Sequence, residues 1–263
     1  MTLEYATRGL IGVLTPQANT TVEPEFGILW PAGVAMLNAR LTSTRGSIEE
    51  RLVDYYDRLD EAVAQFANAP IGAIAVACTG ASYLVGAVRE DEIVARLEKQ
   101  FGVPVITSAR AVVDALAALA ARRIGFVSPY PAALTEASLA YWRERGLDPV
   151  EVASAAPDES AFHPIYSMRA AGAREALDGL DGRDLEAIVM LGTGMPTLRP
   201  ILERPQIGDA PVMSCMLCLA WRTTLALEGG EPTPESLLAW IDAADWRPRF
   251  EERCGAVRAG PIA

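Results

Sequence analysis

The chain repeats itself, and the repeat limits its fold more than any other feature. Ile-Gly-Val-Leu-Thr-Pro at 11–16 returns as Ile-Gly-Phe-Val-Ser-Pro at 124–129. Ala-Ile-Ala-Val-Ala-Cys-Thr-Gly at 73–80 returns as Ala-Ile-Val-Met-Leu-Gly-Thr-Gly at 187–194, and Pro-Val-Ile-Thr at 104–107 as Pro-Val-Met-Ser at 211–214. Three matches in one order, at nearly one offset, are more than shared composition produces. They predict a structural duplication.

Short apolar runs at 10–15, 34–41, 71–77, 103–106, 124–128, 187–191 and 212–214 alternate with longer stretches at 48–68, 90–101, 111–121, 132–145 and 216–227. In the longer stretches apolar residues recur three to four apart. Continuous apolar strands between amphipathic helices read as parallel sheet covered on both faces. The expected class is α/β, in two similar halves of about four parallel strands each. The first half is expected over 1–110, joined by helices within 216–263, and the second over 111–215. The helix-rich end from Pro232 has no counterpart in the repeat and is expected to pack on the first half. Segments 155–163 and 228–234 read as surface loops. Ligands of α/β proteins bind beyond the carboxyl ends of the strands, so two-fold-related halves would turn equivalent strand ends toward one cleft.

Those strand ends carry the candidate chemistry. Cys78 is followed by Thr79, Gly80, Ala81 and Ser82, a small-residue turn into a helix whose backbone N–H groups can hold a carboxylate or a thiolate. The bland alternative is a small buried hydrophobe. The equivalent position in the second half is Gly192, followed by Thr193 and Gly194, so the duplicated motif has a thiol on one side only. After the first strand come Gln17, Asn19, Thr20 and Thr21, which can orient a carboxylate or cap the next helix. Their counterpart, Pro129-Tyr130-Pro131, offers a phenol that could hold a developing enolate or simply pack. His163, the single histidine, finds no partners for a triad. Cys215 and Cys218 have CxxC spacing without a second pair, which favours helix packing over a metal site, with Cys215 close enough in sequence to a strand end to lie near the cleft.

A formal charge of −11 argues against nucleic acid as a partner, and no apolar stretch is long enough for a membrane span. The N-terminus lacks the build of a signal peptide, and four scattered cysteines suit a reducing cytoplasm. The glycines match neither a dinucleotide fingerprint nor a P-loop, so no nucleotide cofactor is expected.

Leu-Thr-Pro-Gln-Ala-Asn-Thr-Thr-Val-Glu-Pro-Glu at 14–25 resembles the opening signature of maleate cis-trans isomerases. Residues 103–109, 123–130 and 195–198 are similar to the same family, within the Asp/Glu racemase superfamily. The resemblance implies Rossmann-like halves about a pseudo-two-fold axis, no cofactor, a small carboxylate substrate and a homodimer or homotetramer. It places Cys78 on the cysteine that attacks the alkene carbon, and Asn19 and Tyr130 on carboxylate contacts. Where the family has a second cysteine this chain has Gly192, and a family asparagine near 157–160 is replaced by Glu159 or a neighbour. Arylmalonate decarboxylases also keep one of the two cysteines, and their glycine-rich segment is similar to residues 78–86, but they keep the cysteine of the second half. Three functions follow as expectations. The first is a cysteine-dependent dicarboxylate isomerase. The second is a decarboxylase in which Cys78 protonates an enediolate, and the third a carboxylate-binding protein without catalysis. A two-base racemase would want an acid/base group on each side.

Overall fold

The computed structural model describes residues 3–155 and 164–257. The first half runs β1 (Gly9–Pro16), α1 (Val22–Leu29), β2 (Val34–Leu41), α2 (Ile48–Asp57), α3 (Leu59–Ala64), β3 (Ile71–Val76), α4 (Thr79–Val85), α5 (Ala87–Phe101) and β4 (Val105–Thr107). The second runs α6 (Ser108–Ala118), β5 (Arg123–Ser128), α7 (Ala132–Glu144), β6 (Asp148–Ser154), α8 (Ala170–Asp178), β7 (Ala187–Met190), α9 (Leu198–Glu203), β8 (Gln206–Ile207) and β9 (Ala210–Ser214). Helices α10 (Cys215–Glu228), α11 (Pro234–Ile241) and α12 (Arg247–Cys254) follow.

Among the described residues the strands form two sheets, ordered β2-β1-β3-β4 and β6-β5-β7-β9-β8, parallel except for β8 against β9. The four parallel strands of each correspond in order, with β8 an addition at the edge of the second, so the repeated sequences occupy equivalent places: β1 with β5, β3 with β7, β4 with β9. Central strands are apolar on both faces because helices cover both: Ala73–Val76 and Ala187–Met190 are buried throughout. Each of their Ile, Val and Met side chains contributes roughly 1.5–3 kcal/mol when fully buried.

Three expectations need correction. Strand β6 was missing from the apolar runs because it is an edge strand, with the half-exposed alternation Asp148-Pro-Val-Glu-Val-Ala-Ser154 in place of a continuous apolar run. The stretch 48–68 is two helices broken at Arg58, not one. The C-terminal helices do not pack on the first half alone. Helix α12 lies on α1, where Arg249 donates to the carbonyls of Ile28 and Leu29, while α11 contacts α6, α10 and β9. The expected loop at 155–163 lies outside the described residues beyond Ala155.

Helix α4 is fixed from behind. Ser82 Oγ lies 2.7 Å from the Tyr56 hydroxyl. Glu90, fully buried, accepts from Thr107 Oγ1 at 2.6 Å, from Tyr141 and from Arg145 at 3.0 Å. The Arg145–Glu90 pair ties α7 of the second half to α5 of the first.

Candidate active site

Strand β3 carries the chain into the cleft at Cys78, the extended residue (φ −143°, ψ 91°) that caps α4. Its small followers let the helix begin directly under the cavity floor. A Cβ on Gly80 would already stand 3.1 Å from Leu52. Cys78 is 3 % exposed, and burial pushes its thiol up to about 12, against the opposing pull of the Ala81 backbone N–H. Desolvation outweighs the helix terminus here, so the resting group is a neutral thiol.

All eight candidate site residues line one cavity: Asn19, Cys78, Thr79, Gly80, Tyr130, Gly192, Thr193 and Gly194. Its volume of about 70 Å³ suits a small acid and not a nucleotide. The ends of β1, β3, β5 and β7 therefore meet, and two of their contacts stitch the halves together. Thr193 Oγ1 donates to the Ala77 carbonyl at 2.8 Å, and Thr21 Oγ1 donates to the Gly194 carbonyl at 2.8 Å. With its hydroxyl proton committed to Ala77, Thr193 has only its backbone N–H to offer a ligand.

Asn19 caps the next helix, one of the two roles its sequence context allowed, and its amide nitrogen lies at the cavity. Its Oδ1 accepts from the N–H groups of Thr21 (2.8 Å) and Val22 (3.2 Å), capping the start of α1, while Nδ2 lies 3.3 Å from Thr193 Oγ1 on the cleft side. Arg40 on β2 secures the loop from outside by donating to the carbonyls of Pro16 and Asn19.

Gly192 has φ +81°, and a Cβ there would meet Tyr130 Oη at 3.1 Å and Pro129 Cγ at 3.1 Å. The phenol thus crowds the position that a side chain at 192 would take. Burial holds the Tyr130 hydroxyl well above the usual phenol range, so it faces the cavity as a donor.

Several cavity residues were not singled out from sequence. Ile48, Arg51, Leu52 and Tyr55 share one face of α2, as i, i+3, i+4 and i+7 positions must. That periodicity was visible, but nothing local said which way the face would point. Arg51 is the one guanidinium among the described lining residues, and it also donates to the carbonyls of Arg45 (2.8 Å) and Gly46 (3.2 Å). Burial raises the Tyr55 hydroxyl to about 12 and that of Tyr166 further still, with Cys78 the second cause of each shift. Leu134 and Ile165 complete an apolar wall. The cavity therefore combines one thiol, neutral phenol and amide donors, and a cation at its edge. Cys215 and Cys218 are buried on α10, and Cys215 reaches Thr79 and the Gly192 backbone. Among the described residues no three His, Cys, Asp or Glu side chains converge on a possible metal position, and no helix is long and apolar enough to cross a membrane. His163 and Glu159 lie outside the described residues.

The maleate isomerase of Pseudomonas putida is 28 % identical over 232 residues, covering 83 % of this chain and 91 % of that protein. The fold is similar to the crystal structure of the maleate isomerase from Pseudomonas putida S16, with a TM-score of 0.77 at 23 % identity over 89 % of this chain and 99 % of that one. It is also similar to a cysteine-to-serine mutant of Nocardia farcinica maleate cis-trans isomerase with a covalently bound succinylcysteine intermediate. There the TM-score is 0.74 at 23 % identity, over 84 % of this chain and 93 % of that one. The arylmalonate decarboxylase family matches residues 11–228, most of the length of the chain, and the protein belongs to that family.

Proposed function

We propose that the protein is a cofactor-independent isomerase of a small cis-dicarboxylate such as maleate, with Cys78 as nucleophile. The observation that carries this reading is a single thiol at a helix start, inside a cavity of four-carbon-acid size walled by neutral donors. Maleate isomerases stand among its relatives, and one of them is known with a succinylcysteine adduct. In the step we infer, Cys78 Sγ bonds to one alkene carbon as its proton passes to a substrate carboxylate. The alkene electron pair moves to the neighbouring carbon and into its carboxylate. Asn19, the Thr79 and Thr193 amides and Tyr130 hold the resulting enediolate, which costs least where donors are preorganised and water is excluded. The former double bond is now single and rotates. Reversal expels Cys78 and leaves the trans acid. On the same reading the two lobes, 1–110 with 216–263 and 111–215, each supply one wall.

A second reading is decarboxylation of a substituted malonate. It is favoured by the resting state of Cys78, a neutral thiol suited to give a proton to an enediolate. Proton NMR of maleate and, separately, of phenylmalonate in D2O, with wild type and Cys78→Ala, tests both. Fumarate that appears only with the thiol supports isomerisation. An untouched maleate signal, with carboxylate loss and α-deuteration of the malonate, replaces it with the decarboxylase.

A further inference from the structure

The steps above leave one charged side chain of the cavity without a role. Arg51 is the single Lys, Arg, Asp or Glu among the described lining residues, on the face of α2 that also carries Ile48, Leu52 and Tyr55. That helix is well anchored. Ser47 and Glu50 form a capping box at its start, and near its end the Tyr56 hydroxyl lies 2.7 Å from Ser82 Oγ of α4. The guanidinium is held along one edge only. Its Nε donates to the Arg45 carbonyl at 2.8 Å and its Nη2 to the Gly46 carbonyl at 3.2 Å. A guanidinium carries five N–H donors in a fixed fork. The Nη1 pair and the second Nη2 hydrogen are therefore left over, side by side at the tip. Among the described residues no carboxylate pairs with Arg51, whereas the neighbouring Arg45 has Asp54 at 4.0 Å.

We propose that Arg51 is the residue that selects a dicarboxylate, gripping with its free fork the substrate carboxylate that does not become the enediolate. The inference rests on the isomerase reading and deepens it. That reading gives Asn19, Tyr130 and the Thr79 and Thr193 amides one carboxylate, the one drawn into the enediolate. A four-carbon diacid brings a second negative charge into the same cavity of about 70 Å³. Neutral donors hold one carboxylate, but its charge repels the other at such short range. A guanidinium offsets that repulsion and meets a carboxylate with two parallel N–H···O bonds. The apolar neighbours Ile48, Leu52, Leu134 and Ile165 keep water away and strengthen the attraction. With a formal charge of −11 the chain as a whole repels a dianion, so recognition falls to the local field of this one cation. Arg51 holds a group that does not react, so it decides which acid binds and not how fast Cys78 adds.

Calorimetric titration of the full chain with succinate and with butyrate tests this. The two acids differ by one carboxylate, and neither has an alkene for Cys78. Wild type is expected to bind succinate about 10- to 100-fold more tightly than butyrate. In Arg51→Gln that preference disappears while butyrate binds as before. With maleate as substrate the same variant raises KM by a similar factor and leaves kcat nearly unchanged. A merely structural role, holding the chain at Arg45 and Gly46, would weaken both acids alike and lower the melting temperature. That result overturns the proposal. So does an undiminished preference in the variant, or a wild type that binds the two acids equally or not at all. Should glutamine fail to fold, Arg51→Lys keeps the charge without the fork. Its preference for succinate must shrink, and a lysine variant equal to wild type overturns the proposal. The isomerase reading fails separately. Wild type that leaves maleate unchanged, yet prefers succinate through Arg51, keeps the dicarboxylate site and loses the isomerase. Fumarate formed with an unchanged KM in Arg51→Gln keeps the isomerase and removes Arg51 from it.

Discussion

A Cβ on Gly192 would stand 3.1 Å from the phenolic oxygen of Tyr130, on a backbone with φ +81°. The two residues follow equivalent strands, β7 and β5, and the aromatic one crowds any side chain on the other. A side chain at 192 therefore needs Tyr130 to give by a few tenths of an ångström and sits on a backbone conformation that L residues rarely adopt. Gly192→Cys is expected to lose about 1–3 kcal/mol of stability from the left-handed backbone alone, and to lower turnover. Urea unfolding beside the maleate assay checks this, and a stable, faster variant would contradict it.

Asn19 joins the fold to the cavity, since its amide both caps α1 and reaches Thr193. Asn19→Asp keeps the acceptor that caps α1 and adds a charge favourable at a helix start. It removes the Nδ2 donor and repels a carboxylate. Stability is expected to fall, because the buried carboxylate would face the Thr193 hydroxyl oxygen whose proton goes to Ala77, while KM rises about 10- to 100-fold, the worth of a hydrogen bond to a charged group. Equal KM values would remove Asn19 from the binding site.

Glu25 gives a pH prediction. It is buried on α1 and accepts from Thr197 N–H across the seam at 2.8 Å; desolvation raises its carboxyl to about 7, against the Thr197 and Leu198 hydrogen bonds. Between pH 4.5 and 7 the folded chain keeps a proton that the unfolded chain has released, so stability falls as pH rises through that window. The full effect is on the order of 3 kcal/mol. Glu25→Gln keeps the acceptor and should flatten the profile, overtaking wild type in denaturant melts at pH 8. Parallel profiles would refute the assignment.

If the malonate arm proves active, the product hand is fixed by the side from which the proton comes. This chain carries its cleft-ending thiol on the first half, and arylmalonate decarboxylases carry theirs on the second. Chiral chromatography of the monoacid should give the opposite enantiomer to theirs. The same enantiomer would rule out Cys78 as the proton donor.

The sequence by itself determined the duplicated α/β plan and the residues that end its strands. A repeat of apolar strand and small-residue turn leaves the backbone few alternatives, and equivalent strand ends must then meet. For the same reason Asn19, Cys78, Tyr130 and Gly192 could be grouped before any coordinates. The tertiary structure decided what depends on orientation between the halves. The apolar-and-arginine face of α2 forms a cavity wall only because α2 packs against α4, and Thr193 turns its hydroxyl proton away from the cleft toward Ala77. Cys215 looked like a packing residue in a CxxC pair. It reaches Thr79 because β9 lies beside β7 and starts α10 behind the cleft, a neighbourhood set by strand order and not by local sequence.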